Sequence, residues 1–202
     1  MHIGIDFDNT IVCYDALFHK VACEQGIVPP ETPANKLAVR DYLRRIGREA
    51  IWTEMQGYVY GARMGEAPAY AGVTEFICRA VDAGDTLAIV SHKTKHPFLG
   101  PQYNLHAAAR FWVEQCLHIN SIALIPADQV FFELTKEAKL SRIDACGCDI
   151  FIDDLPEFLQ AEEFPKGARR VLFDPERHHA GAELPDIAVC SSWAAIEGML
   201  YA

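Results

Sequence analysis

Short apolar runs of strand length recur along the chain at 3–7, 86–90, 130–132, 150–152 and 171–173, with a further candidate at 187–190. They are near-continuous stretches of Ile, Leu, Val and Phe rather than alternations with polar residues, the pattern of strands buried on both faces. Between them, apolar positions at helical spacing predict helices over 73–83, 105–117, 136–145, 156–162 and 192–200. Gly84 and Gly147 stand where two of these must stop. Strand and helix repeated in this way predict an α/β fold, a Rossmann-like parallel sheet with helices on both faces.

The rhythm breaks between 15 and 71, where no buried strand is legible and the pattern is helical or loop-like throughout. Pro29, Pro30 and Pro33 close a first helix there. Leu37, Val39, Tyr42, Leu43 and Ile46 mark an amphipathic second one, and Ile51, Trp52, Met55 and Val59 a third. The segment 65–72 reads as the return linker. The expected organisation is therefore a core of 1–14 and 72–202 carrying a small all-α insertion at 15–71. A length of 202 residues agrees with one full domain plus an insertion, at roughly 150 residues per domain.

Composition narrows the function classes. Half of the residues are hydrophobic and 23% are charged, which suits a packed globular chain and excludes a disordered one. No apolar run approaches the roughly 20 residues that cross a membrane as a helix. Eighteen basic against 28 acidic residues leave a formal charge of −10, so a surface built to hold a nucleic acid polymer is not expected. The first residues carry no basic leader, and the seven cysteines are scattered without a disulfide framework; both favour a cytoplasmic location. Cys146 and Cys148 are too close together for a zinc ribbon, and His178 and His179 read as a surface loop.

In a parallel sheet the ligand site lies beyond the carboxyl ends of the strands. Two of these ends are acidic: the run at Ile3 continues into Asp6-Phe7-Asp8-Asn9-Thr10, and that at Ile150 into Asp153-Asp154. Helix capping would use one acid at each place, yet there are two at each. Buried together, these carboxylates cost several kcal/mol per ion, on the order of the penalty for uncompensated charge, unless a cation offsets them. A hard divalent ion, Mg2+, taking oxygen ligands from a few carboxylates and a substrate phosphate, fits that need. A third strand end, after Val90, is Ser91-His92-Lys93, where hydroxyl and ammonium donors would meet an anionic substrate. Lys136, opening the helix after 130–132, could add a fixed positive charge, and Lys139 one turn later competes for that role.

The order and contexts of these four strand ends resemble the haloacid dehalogenase superfamily of aspartate-nucleophile phosphohydrolases. Asp6-Phe7-Asp8-Asn9-Thr10 matches its DxDxT motif in full. Ser91 matches its second motif, Lys136 or Lys139 its third, and Asp153-Asp154 its fourth. The resemblance covers about 1–14 and 72–202, and makes 15–71 similar to the helical cap that many members insert between the first two motifs. It implies that Asp6 attacks phosphorus, that Asp8 protonates the leaving group and then activates water, and that Ser91 and Lys136 hold the transferring oxygens. Thr10, Ser91, His92 and Lys93 would contact substrate. Magnesium would be held by Asp6, the backbone carbonyl of Asp8, and Asp153 or Asp154. Possession of the second Asp separates the chain from the dehalogenases of the superfamily.

The expected activity is thus a Mg2+-dependent phosphatase acting on a small phosphorylated metabolite through an aspartyl phosphate. A phosphotransferase using the same intermediate, or a non-catalytic phosphate or magnesium sensor, are the competing expectations, and the presence of a general acid at Asp8 speaks against the sensor. Lys36, Arg40, Arg44 and Arg48 form a basic stripe on the insertion, more simply a solvated face than a substrate contact. Trp52, Tyr58 and Tyr60 are more simply core than a stacking platform.

Overall fold

A computed structural model describes all residues, 1–202. In chain order the elements are β1 (His2–Ile5), α1 (Asp15–Glu24), α2 (Lys36–Arg45), α3 (Glu49–Tyr60), α4 (Val73–Asp82), β2 (Thr86–His92), α5 (Leu105–Cys116), β3 (His118–Ile119), β4 (Ile122–Ala123), β5 (Val130–Glu133), α6 (Lys136–Cys146), β6 (Ile150–Asp153), α7 (Pro156–Leu159), β7 (Arg169–Phe173), β8 (Ile187–Cys190) and α8 (Trp193–Tyr201). They form two compact units. One comprises Met1–Val12, Ala69–His92 and Leu117–Ala202, the other Cys13–Pro68 and Lys93–Cys116.

The first unit is built on a six-stranded sheet in the order β5-β2-β1-β6-β7-β8, parallel at every pairing. Counted by sequence, its strands run 3-2-1-4-5-6, so the chain works outward from β1 to one edge, returns, and works outward to the other. The reversal falls between β1 and β6. That is where a doubly wound sheet opens a crevice at its carboxyl edge.

Alternation of side chains decides what lies under each face. Ala88 and Val90 of β2, Phe151 of β6 and Leu172 of β7 join Leu140 and Ile143 of α6 and Phe158 and Leu159 of α7 in one buried cluster. The next residue along β7, Phe173, turns to the opposite face, where its ring lies 5.5 Å from Trp193 of α8, itself 5.0 Å from Phe76 of α4. Helices therefore cover both faces, as the apolar runs require. Gly4 marks a tight point on the α6 face, since a Cβ there would sit 2.5 Å from the Phe151 ring and 2.8 Å from Cys148 Sγ. Gly4→Ala is expected to destabilise the protein by about 1–3 kcal/mol through overpacking, read as a lowered midpoint in urea unfolding.

The second unit is all-helical. Phe18 packs on Trp52 at 5.0 Å and Tyr14 on Tyr60 at 4.8 Å between centroids, while Trp112 Nε1 donates to the Ala67 carbonyl at 2.8 Å. Asn35 caps α2 by accepting from the Ala38 N–H at 2.7 Å, as helix starts favour. Close approach of the 93–116 segment depends on glycine: a Cβ at Gly57 would meet Pro97 at 2.6 Å, and one at Gly61 would meet Tyr103 at 2.5 Å. The unit thus contains α5 as well as α1–α3, whereas the sequence pattern grouped residues 105–117 with the sheet.

Smaller differences have local causes. β2 runs on to His92, two residues past the apolar run, because Ser91 and His92 still pair with Phe132 and Glu133 of β5. The hairpin β3–β4 leaves no pattern in the sequence since its strands are two residues each and exposed; its turn residues Asn120 and Ser121 both take positive φ, 49° and 63°, as tight hairpins require. α7 stops at Leu159, and no helix of the fold is long and apolar enough to cross a membrane.

Candidate active site

Asp6 follows β1 directly, and its N–H donates to the Ile152 carbonyl at 2.9 Å, so the β1–β6 ladder continues one step beyond the strand. Ile5 pairs with Ile152, which puts Asp6 and Asp153 side by side at the sheet's carboxyl edge. By alternation they share the face occupied by Phe151, the face that α6 covers. Asp153 has 0% and Asp6 5% of its surface exposed. Two buried acids this close are tolerable only with compensation.

Lys139 supplies part of it. The residue is 2% exposed, and its ammonium donates to Asp6 Oδ1 at 2.7 Å and to Asp153 Oδ2 at 2.6 Å. Leu140 and Ile143 turn the same side of α6 to the core, while the Thr135 hydroxyl caps the helix by accepting from the Ala138 N–H at 3.1 Å. The second oxygen of Asp153 accepts from the Leu155 N–H at 2.9 Å, fixing the turn into α7. Asp154, half-buried, accepts from the Thr10 hydroxyl at 3.4 Å. One carboxylate oxygen from each of Asp6, Asp153 and Asp154 lies within 4.8 Å of the others.

The loop after β1 is held from several sides. Ile11 and Val12 N–H groups both donate to the Phe7 carbonyl at 3.1 Å, and Asn9 takes φ 61°, a left-handed conformation that Asn adopts more readily than most residues. Thr10 is fully buried, and its carbonyl accepts from Trp193 Nε1 at 3.2 Å. Asp8 is half-buried and bridges to Val12. Ser91 is buried on β2, two residues past Ile89, the partner of Ile5.

The electrostatics are unbalanced. Burial pushes the Asp6 carboxyl up to about 7, against the opposing pull of Lys139. Burial also works against the Lys139 ammonium, but Asp153 and Asp6 outweigh it and hold that pKa above its ordinary value. Three clustered carboxylates with one ammonium leave negative charge over, and their oxygens are the hard donors that a small divalent cation prefers. The site fits such an ion on donor chemistry and on charge.

Of the two lysines left open by the sequence, Lys139 is the one against the acids. Lys136 is the first residue of α6 and exposed, one turn before the buried stripe. Its placement corrects the expectation that it holds the reacting oxygens: the helix buries the fourth residue of its first turn, not the first. His92 is exposed, with its ring nitrogen 3.2 Å from the Leu134 carbonyl. Lys93 belongs to the helical unit, where it is buried and its ammonium lies 4.9 Å from the Tyr60 ring centroid. In the basic stripe Lys36 lies over the Phe18 and Tyr60 rings, at 5.6 and 5.7 Å, while Arg44 pairs with Glu49 at 2.8 Å in the open. Nothing in the sequence marks Phe151 and Phe158, whose rings lie beside the Lys139 ammonium.

No protein-family model matches the chain, and no curated protein sequence matches it significantly. Solved structures do match. A HAD family hydrolase from Deinococcus radiodurans with bound phosphate and sodium aligns over 98% of this chain and 94% of its own, at 16% identity and a TM-score of 0.58. A phosphoserine phosphohydrolase-like protein from Francisella tularensis aligns over 98% and 99%, at 17% identity and a TM-score of 0.57. An archaeal beta-phosphoglucomutase from Pyrococcus aligns over 98% and 96%, at 14% identity and a TM-score of 0.57. The chain has the haloacid dehalogenase-like fold.

Proposed function

We propose that the chain is a magnesium-dependent phosphomonoesterase acting on a small phosphorylated metabolite. The observation that carries this reading is the convergence of Asp6, Asp153 and Asp154 at the switch point of the sheet, with the buried ammonium of Lys139 bound to the first two. Similarity in fold to hydrolases of the haloacid dehalogenase superfamily supports it.

In this reading a carboxylate oxygen of Asp6 attacks phosphorus in line, forming an aspartyl phosphate as the ester P–O bond breaks. Asp8, two residues on, gives its proton to the departing alkoxide. It then takes a proton from water, whose oxygen attacks the aspartyl phosphate and releases inorganic phosphate. The Ser91 hydroxyl donates to a transferring oxygen. Lys139 holds the Asp6 carboxylate in one orientation, and its positive charge opposes the negative charge gathering at the phosphoryl group. Asp6, the Asp8 carbonyl, and Asp153 or Asp154 would hold magnesium, which when bound screens carboxylate from phosphate.

A panel of nucleotides, sugar phosphates and amino-acid phosphates, assayed with magnesium for released phosphate, tests the reading; no turnover on any of them would reject it. Activity is expected to fall at least about 100-fold after exhaustive chelation and to return with added Mg2+, measured by the same assay. Activity surviving chelation would reject the metal while leaving the nucleophile standing. Similarity to a beta-phosphoglucomutase favours a second reading, phosphoryl transfer to an alcohol by the same intermediate. Phosphorylation of an added sugar in place of phosphate release would establish it.

A further inference from the structure

An ammonium has three N–H donors, and a buried one needs all three satisfied. Two of those on Lys139 go to Asp6 and Asp153. The remaining side is aromatic: the nitrogen lies 4.1 Å from the Phe158 ring centroid and 5.4 Å from that of Phe151. The nearer distance is close enough for the ring face to act as acceptor to the third N–H, an attraction that grows when the cation is desolvated.

The chain delivers this ring together with the acids. Phe158 stands in the short α7, whose entry is set by Pro156 at the helix start and by the Leu155 N–H bound to Asp153. Phe158 also packs on Phe151 and Phe164, at 6.1 Å between centroids in each case. Its surroundings are not solid throughout. With Leu140, Ala161 and Phe164 it lines a cavity of about 600 Å³ rimmed by Glu157, Glu162 and Lys136. One side chain therefore touches both the buried ion group and a space large enough for water.

We propose that Phe158 is a positioning residue, whose ring face holds the Lys139 ammonium between Asp6 and Asp153 and keeps water from the cavity off it. This rests on the reading of Asp6 as nucleophile, because what the ring fixes is the orientation of the Asp6 carboxylate through Lys139. A smaller aliphatic side chain removes the acceptor and lets the ammonium turn toward the cavity. Tyr keeps the ring face.

The test compares Phe158→Leu with Phe158→Tyr in the full chain. With p-nitrophenyl phosphate and magnesium, Phe158→Leu is expected to lower kcat about tenfold with KM unchanged within about twofold. Phe158→Tyr restores kcat to within about twofold of the parent. The second readout needs no turnover: the Lys139 ε-methylene cross-peak, assigned by its absence in Lys139→Met, is expected upfield of ordinary lysines through the ring current. It should move to the ordinary position in Phe158→Leu and stay upfield in Phe158→Tyr. Unperturbed kcat in Phe158→Leu, an equal loss in both variants, or an ordinary Lys139 signal in the parent would each overturn the proposal. Should the parent turn over no phosphoester, the enzymatic reading fails, and the cross-peak still decides whether the ring holds the ammonium.

Discussion

Asp6→Asn is expected to lower phosphoester turnover by at least about 10⁴-fold while leaving the fold intact. The amide keeps the size of the carboxylate, and its oxygen can still accept from Lys139 where Asp6 Oδ1 does, at 2.7 Å. What it lacks is the second anionic oxygen that attacks phosphorus. The loss therefore belongs to kcat and not to binding. Stability is expected to change little, since the substitution keeps the bond to Lys139 and takes one negative charge out of a buried group that holds three carboxylates and one ammonium. A neutral isostere there should unfold within about 1 kcal/mol of the parent. Turnover of the best panel substrate and urea unfolding check both halves. Parent-like turnover in a folded Asp6→Asn protein would falsify the nucleophile.

The acids were legible because a parallel sheet converts a local pattern into a place. An apolar run followed by Asp predicts a carboxylate at a strand's carboxyl end, and Ile5 pairing with Ile152 brings two such ends together. Spacing within a strand is fixed, so an acid at each strand end could be read from the sequence, with Asp153 and Asp154 left as alternatives. The lysine could not. Lys136 and Lys139 both lie in the first turn of α6, and which one is buried depends on how far the helix is rotated about its own axis. Leu140 and Ile143 do not decide it, since at helical spacing position 136 shares their face as much as position 139 does, and a charged residue on an apolar stripe reads first as a mismatch. The role of Phe158 was less legible still: its ring is one more apolar residue until the ammonium is placed over it. The grouping of α5 with the helical unit failed for a related reason. Its contacts rest on Gly57 and Gly61, single small residues whose importance lies in what they admit, Pro97 and Tyr103.

Lys139→Met and Lys136→Met are expected to separate sharply, although the two residues lie in one turn of one helix. Removing the Lys139 ammonium strands Asp6 and Asp153, both buried, with no cation between them. Breaking a buried ion group by deleting one partner costs about 3–5 kcal/mol, so Lys139→Met should show a much lower urea midpoint and no measurable turnover. Lys136 is exposed, and its replacement should shift stability by less than about 0.5 kcal/mol and leave turnover within about threefold. Loss of activity through instability alone is a rival explanation for Lys139→Met, and Lys139→Arg distinguishes it. A guanidinium restores the positive charge, and with it most of the lost stability, but its larger planar fork cannot take the place of a compact ammonium held at 2.7 and 2.6 Å between two buried acids without shifting them. A folded Lys139→Arg protein with kcat still reduced about 100-fold assigns the lysine a part in the reaction. If it works like the parent, charge alone is what the site requires; if Lys136→Met is the inactive variant, the assignment of the two lysines is reversed.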